Sequence, residues 1–483
     1  MEVTRRSALQ AGTAAVAAAA LAGCRPLLRN VSAAEEITSI AVSKQPRLLR
    51  IVNRFGFGPR PGELAKIESE GLESFIERQL KGEESDPPYL SMEIGRMDAF
   101  AMDSMELRNI SDAEVLRQLQ QAALLRAVYS PNQFKERISE FWTNHFNIYA
   151  KKGFGTYRKG RDETEVVRNH ALGSFPAMLR ASAKSVAMLA YLDNDVNQKG
   201  VPNENYAREL LELHSLGVDG GYSQKDIQEL ARCLTGWTIE TGFLKPYGKL
   251  KFDPSLHDDG MKMVLGHRIP AGQQEKDIDL VLDILVEHPS TARFLAKKLC
   301  LYFIGSRSAQ LESQIANAYL NSKGDIPSML RVILKSDELV ESEPILKRPF
   351  EFVVSALRVT DADTRALQGV QSHLRMMGQP SYEWPMPDGY PVDYASWSGT
   401  VLARWNFAYA LMSGELGDAK PRLRQAMRNT KSEPFELLAQ TTLGQSPDDP
   451  SLRELKSALG TLSDDDLEHA AALCLSSPQF QVK

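Results

Sequence analysis

What the chain lacks narrows its function first. Its four cysteines, Cys24, Cys233, Cys300 and Cys474, never stand at C-x-x-C spacing, so neither a zinc ribbon nor a dithiol redox motif is present. No apolar run reaches the roughly 18–20 residues that cross a bilayer. Acidic residues number 62 against 57 basic, for a net charge of −5, which leaves no electrostatic case for binding nucleic acid. G-x-S-x-G, H-E-x-x-H and G-x-x-x-x-G-K are all missing, so nucleophile-elbow hydrolases, zincins and P-loop NTPases have no direct support. "RFGFGPRPG" is rich in glycine but lacks the spacing and strand–turn–helix setting of a dinucleotide loop. No repeat recurs at a solenoid period.

Other features are present. A hydrophobic content of 43% over 483 residues is enough for a real core, in one large domain or two to three smaller ones. The first residues, "MEVTRRSALQAGTAAVAAAALAGC", pair Arg5 with Arg6, run apolar from Ala11 to Gly23 and end on Cys24. That pattern is an export signal, too short for a membrane helix. "TRRSAL" resembles a twin-arginine motif. "LAGC" resembles a bacterial lipobox, which makes Cys24 the expected lipidated first residue of a mature, membrane-anchored lipoprotein. Arginine after that cysteine leans towards the outer membrane, on the periplasmic side. Residues 25–45 read as a tether.

From there helical periodicity dominates, with a main domain expected over 46–416 and a helical extension over 417–483 packed against it. Residues 82–110 read as a loop or insertion. Pro131 splits two long helices, and further helices start near Glu163, Ser174 and Lys184. "TGWTIETGFLKPYGKLKF" is the one hairpin-like segment. The class is all-α, a large multi-helix domain with one small β-hairpin excursion. Cys233 and Cys300 sit among apolar residues at helical spacing and read as buried thiols; one long-range disulfide stays open as an alternative.

Three constellations carry candidate chemistry. In "YLDNDVNQKGVPNE", Asp193, Asp195, Asn197 and Glu204 occupy positions 1, 3, 5 and 12 of a twelve-residue window between helices. This is EF-hand ligand spacing for calcium or another divalent cation. Gln198 stands where a glycine belongs, and the competing reading is turn formers with Asn203 as a helix cap. The next helix, "PNENYARELLELHSLG", gathers Glu204, Asn205, Arg208, Glu209 and Glu212 on one arc and sets His214 on the apolar one. Such a ladder is either a solvated face or half of a site. Elsewhere Glu140, Asn144 and His145 lie close together on a helix, His170 follows, and His257 with Asp258 marks a turn; groups like these converge in metal or acid–base centres. Finally, the loop with Tyr382, Trp384, Tyr390 and Trp397 is either an aromatic strap or a stacking surface for sugar or peptide.

"LLRIVNRFGFGPRPGEL", "EFWTNHFNI", "YLDN", "PNENYARELLELHSLGVDGGYSQKDIQELARCLTGW", "HDDGMKMVLG" and "GQPSYEWPMPDGYP" follow in that order. Together they resemble the bacterial family catalogued as domain of unknown function 1800, over roughly residues 46–415. The resemblance implies a large, mostly helical, exported protein with no assigned reaction. It also implies a possible exported partner of the domain of unknown function 1501 family. Its pattern covers His145, Asp193, Asn203, Glu204, Asn205, Arg208, Glu209, Glu212, Gly217, Thr235, Gly236, Trp237 and His257, but not Asp195. The leading expectation is a binding or assembly protein of the cell envelope with a central polar site. The alternative is a divalent-cation-dependent hydrolase, or another enzyme using a His/carboxylate pair. There Asp193, Glu204, Glu209 and Glu212 would be ligands or bases, and Arg208 would hold an anionic group. The enzyme expects His145, His257 and the acidic stripe in one open pocket. A structural stripe expects Arg208 buried and fully paired.

Overall fold

Pro131 divides the longest helical stretch as its ring requires. Helix α1 (Asp112–Tyr129) begins at Ser111, whose side chain accepts from the Glu114 amide, and ends where Ser130 turns extended, the conformation favoured before proline. The chain resumes as α2 (Gln133–His145). A computed structural model describes residues 46–483 except 104, 241–247, 424, 426–437, 445–449 and 460–466. Cys24 and the expected signal and tether lie outside the described residues.

The α1–α2 pair stands between two apolar cores. Phe134, Ile138, Phe141 and Trp142 of α2 enter the larger core, whose members run from Leu48 to Leu339. Leu124, Leu125 and Val128 of α1 enter the second, which runs from Phe57 to Phe480. Continuing along the chain come α3 (Gly155–Asp162), α4 (Glu204–Glu212), α5 (Gln224–Cys233), α6 (Pro289–Phe303), α7 (Pro349–Val359), α8 (Val401–Ser413) and α9 (Leu467–Ser476). All eleven residues of α7 are buried, including Glu351 and Arg358, each of which is held in an ion pair. Cys474 and Leu475 of α9 share the second core with Phe407 and Leu411 of α8. Cys233, Cys300 and Cys474 are buried free thiols.

Local signals were obeyed at α4 and α5. Asn203 caps α4, accepting from the Asn205 amide, and Ser223 with Asp226 forms a complete capping box on α5. The fold is mainly α-helical, with three two-stranded antiparallel pairs among the described residues. The expected hairpin is present as β1 (Trp237–Ile239) against β2 (Leu250–Phe252), with Trp237 opposite Phe252; its turn lies in 241–247, outside the described residues. A second hairpin, β3 (Lys262–Val264) with β4 (His267–Ile269), has no such signal in the sequence. Its two-residue turn is Leu265-Gly266, both at positive φ, where Asn-Gly or Asp-Gly is usual. The stretch expected as a loop over 82–110 contains short helices at Pro88–Gly95 and Asp98–Ala101.

Candidate functional site

The residues of the EF-hand-like window face different partners. Asp193 sits in the left-handed region, φ 57°, and pairs with Lys152 at 2.8 Å. Asp195 offers its carbonyl to the Thr238 hydroxyl. Asn197 is buried; its amide donates to the Ala231 carbonyl at 2.9 Å, and its oxygen accepts from the Asn203 backbone. Glu204 takes Arg208 at 3.2 Å and Gln224 at 2.6 Å. Among the described residues no group of three or more His, Cys, Asp or Glu is arranged to hold a metal ion.

The acidic stripe of α4 is half-exposed. Among the described residues the Arg208 guanidinium bonds Glu204 and Gln224 alone and is part-exposed, so it is not the buried, fully paired clamp that a structural stripe requires. Glu209 is pushed above the usual carboxylate range by burial and by its neighbours Glu212 and Asp388. The histidines lie elsewhere. His145 is buried between the His214 carbonyl, 3.2 Å from its Nε2, and the Lys298 amine on α6, 3.0 Å from its Nδ1. Burial, then Lys298, drives its ring well below the ordinary value. His257 lies under the hairpins, its Nδ1 against the Thr235 carbonyl at 2.8 Å and its Nε2 against Asp277 at 3.2 Å; Lys262 also holds Asp277. His170 bonds the Val166 carbonyl.

One pocket opens at the seam between α1 and α2, and neither His145, His257 nor the stripe lines it. It encloses about 60 Å³, room for a few waters or one small polar group. Helix α1 contributes Ala123, Arg126 and Ala127; α2 contributes Glu136, Ser139, Glu140, Thr143 and Asn144. Glu163 and Arg168 come from one π-helical turn, Glu163–Arg168, directly after α3. Such i→i+5 turns occur mostly as single insertions and often at functional sites, and their closure brings residues five apart to one face. The fourth wall is the Pro- and aromatic-rich loop, through Gln379, Ser381, Tyr382 and Tyr390, joined by Phe350 of α7.

That loop is strapped down at both ends, and so it is wall and strap at once. Asn147 donates to the Trp384 and Met386 carbonyls at 3.0 and 2.6 Å, and Gln120 donates to the Ser381 carbonyl. The Tyr390 amide donates to the Asn144 side chain, and the Tyr390 hydroxyl to the Pro380 carbonyl. At Gly389, φ 77°, an added Cβ would stand 2.3 Å from the Asn144 carbonyl oxygen, so only glycine lets the loop lie this close to α2. Tyr382 is held at φ 67°, a conformation a bulky residue adopts only under constraint. Its carbonyl accepts from the Ala150 amide.

The pocket's carboxylates are all engaged. Arg168 grips both oxygens of Glu136 at 2.6 and 2.8 Å. Burial alone would raise the Glu136 carboxyl, but Arg168, with Arg126 and Lys135, holds it below its ordinary value. Glu163 accepts the Thr143 hydroxyl at 2.9 Å and has Lys159 at 3.4 Å. Glu140 is held by Arg348 at 2.5 Å, by the Tyr302 hydroxyl and by Asn144. Arg126 differs. Its guanidinium lies over the Phe100 ring at 4.8 Å, and burial and then Arg168 lower its pKa.

Sequence reasoning had reached Glu140, Asn144, Tyr382 and Tyr390, which this pocket gathers, and had missed Arg126, Glu136, Ser139, Glu163 and Arg168. An available signal was the arginine inside "AALLRAVY", a charge amid residues that must be buried.

The fold and this pocket define a large helical protein with a small cavity lined by both charged and apolar side chains. The chain belongs to the family described as Protein of unknown function (DUF1800), whose model matches residues 50–482. No curated protein and no solved structure matches it.

Proposed function

We propose that this is an exported, lipid-anchored protein of the cell envelope that binds a small ligand in the pocket at the seam, and that it works beside an exported partner of the domain of unknown function 1501 family. The paired Arg5–Arg6, the apolar stretch and Cys24 support export and anchoring. The binding reading rests on one observation. A cavity walled by α1, α2, a π-helical turn and a strapped loop keeps polar groups inside the fold, where unmet polar groups are costly. Small-molecule sites favour such junctions, with a few convergent polar groups among apolar walls.

Native mass spectrometry of protein extracted gently from envelopes tests both halves. The mature chain is expected to begin at Cys24 with a lipid adduct, and to carry a non-covalent mass that is lost on denaturation. Ala123→Leu, which fills the cavity, is expected to lose that bound mass while keeping the lipid. A wild-type protein with no bound mass would sink the binding reading, and an unprocessed N-terminus would sink the anchoring.

A further inference from the structure

We propose that the ligand of this pocket carries an anionic oxygen group, a carboxylate or a phosphate, received by Arg126 together with the hydroxyls of Ser139 and Tyr382. The inference rests on the binding reading above and narrows it to a chemical class.

Three observations converge. Arg126 makes no hydrogen bond or ion pair through its guanidinium with any described residue, although stacking on Phe100 fixes the plane of its fork. Ser139, 3% exposed, has a buried hydroxyl with no partner. Tyr382, 7% exposed, lines the same cavity, and its hydroxyl bonds no described residue. One cation and two hydroxyls therefore border a single space with unused donor capacity.

The charges in the walls select the sign of the guest. Glu136, Glu140 and Glu163 already face Arg168, Arg348 and Lys159. A cationic guest would meet Arg126 with no free carboxylate to balance it. A neutral guest would leave the half-buried guanidinium answered only at longer range by Glu136 and Glu163, both already engaged by other cations, a poorly compensated arrangement. An anion removes that penalty, and carboxylate and phosphate both match the two-pronged guanidinium fork. A cavity of about 60 Å³ holds the anionic head and a short stem. Ala123, Ala127 and Phe350 supply the apolar flank.

The test is calorimetric titration of the mature protein with inorganic phosphate, acetate and succinate, and with acetamide as a neutral control. Wild type is compared with Arg126→Gln, Arg126→Lys and Arg161→Gln, the last an exposed arginine paired with Glu165 on the surface. The expected result is saturable binding of phosphate or of a carboxylate, and the arm that saturates identifies the source. Binding should weaken roughly ten- to hundred-fold in Arg126→Gln, recover in part in Arg126→Lys, and hold in Arg161→Gln. Equal binding in wild type and Arg126→Gln, or acetamide binding as well as acetate, overturns the proposal. If envelope-extracted Arg126→Gln still carries the wild-type bound mass, the anion class falls and the binding reading stands. If wild type carries no mass and binds no anion, both fall.

Discussion

Two sets of buried charges touch at Glu140 and behave in opposite ways. On one side Glu351 sits at the centre of an ion-paired network, with Arg137 at 2.7 Å, Arg348 at 2.8 Å and Lys483 at 2.8 Å, all of them buried. One nitrogen each of Arg137 and Arg348 (Nη1) has no hydrogen-bond partner among the described residues. Arg348 reaches on to Glu140. On the other side Glu140 lines the pocket, where Arg126 makes no direct ion pair with any described residue and Glu136 and Glu163 reach it only at longer range. The residue types match, although Arg126 and Arg168 are less deeply buried than the Glu351 network; the further difference lies in whether each charge has a direct partner. A closed network fixes how the helices register, because any slip strands a charge in a medium that solvates it poorly. An open one leaves a penalty that a ligand can remove.

The largest expected effect comes from opening the closed side. Glu351→Gln leaves three cations without their shared anion, so a loss of about 3–5 kcal/mol is expected in urea or thermal melts. A loss under about 1 kcal/mol would mean the network is not a structural lock. The same substitution should change the acid limb. Arg137, Lys483 and Arg348 together overcome burial and hold Glu351 well below its ordinary value. Its stabilising contribution is therefore complete above the unfolded carboxylate value of about 4.3 and declines as pH falls from there through the folded value. Glu351→Gln should flatten that part of the stability–pH curve.

His214 sharpens the comparison because it is unmet but enclosed. Both its ring nitrogens lack hydrogen-bond partners among the described residues, and it is fully buried. Burial, then Lys298, takes its pKa down to about 3. The folded state holds the ring neutral while the unfolded chain protonates near 6.5. Stability is therefore full above about pH 6.5 and falls with acid until about pH 3, by up to about 1.4 kcal/mol per pH unit. His214→Phe should reduce this slope without abolishing it, because the buried ring of His145 is also held well below its ordinary value, and the Glu351 contribution should stay in place. An unchanged slope between pH 6 and 5 would show that His214 does not titrate with unfolding.

The site was legible in the sequence only where the residue type announces chemistry. Glu140 and Asn144 stood out in "EFWTN", and Tyr382 and Tyr390 in a loop too dense in proline to be regular. Arg126 was hidden because a single charge in an apolar helix does not disturb the helical period. The π-helical turn was hidden because its sequence, "ETEVVR", reads as ordinary helix, and only the backbone shows that residues 163 and 168 share a face. Histidines drew attention by type, whereas their burial against backbone carbonyls depends on tertiary packing. The helical class, the caps at Asn203 and Ser223 and the first hairpin were readable because each rests on local stereochemistry. The second hairpin was not, since Leu265 occupies a positive-φ position that usually carries Asn or Asp.

Arg126 should give a smaller effect of the opposite sign to Glu351. Arg126→Met keeps the stem that covers Phe100 and removes the unmet charge, so the ligand-free protein is expected to gain on the order of 1 kcal/mol. In saturating anion the order should reverse, because only wild type is stabilised by the bound guest. A variant that is less stable than wild type without ligand would show that Arg126 is satisfied within the fold, and the distinction between the open and closed sides would collapse.

The smallest effect belongs to the α4 stripe, which has charge pairs but no enclosure. Arg208 is bonded to Glu204 and Gln224 at 3.2 and 3.3 Å and is half in water, where an i,i+4 pair such as Arg208–Glu204 contributes only about 0.2–0.5 kcal/mol. Arg208→Ala is therefore expected to move a urea midpoint barely, by no more than about 0.5 kcal/mol. Its small loss should shrink further in high salt, because exposed pairs are screened. A salt-insensitive loss well above 1 kcal/mol would place Arg208 among the enclosed charges and shift attention from the seam to the carboxylates beside it. With the expected outcome, charge alone does not mark a site in this fold; an unmet charge at the edge of a cavity does.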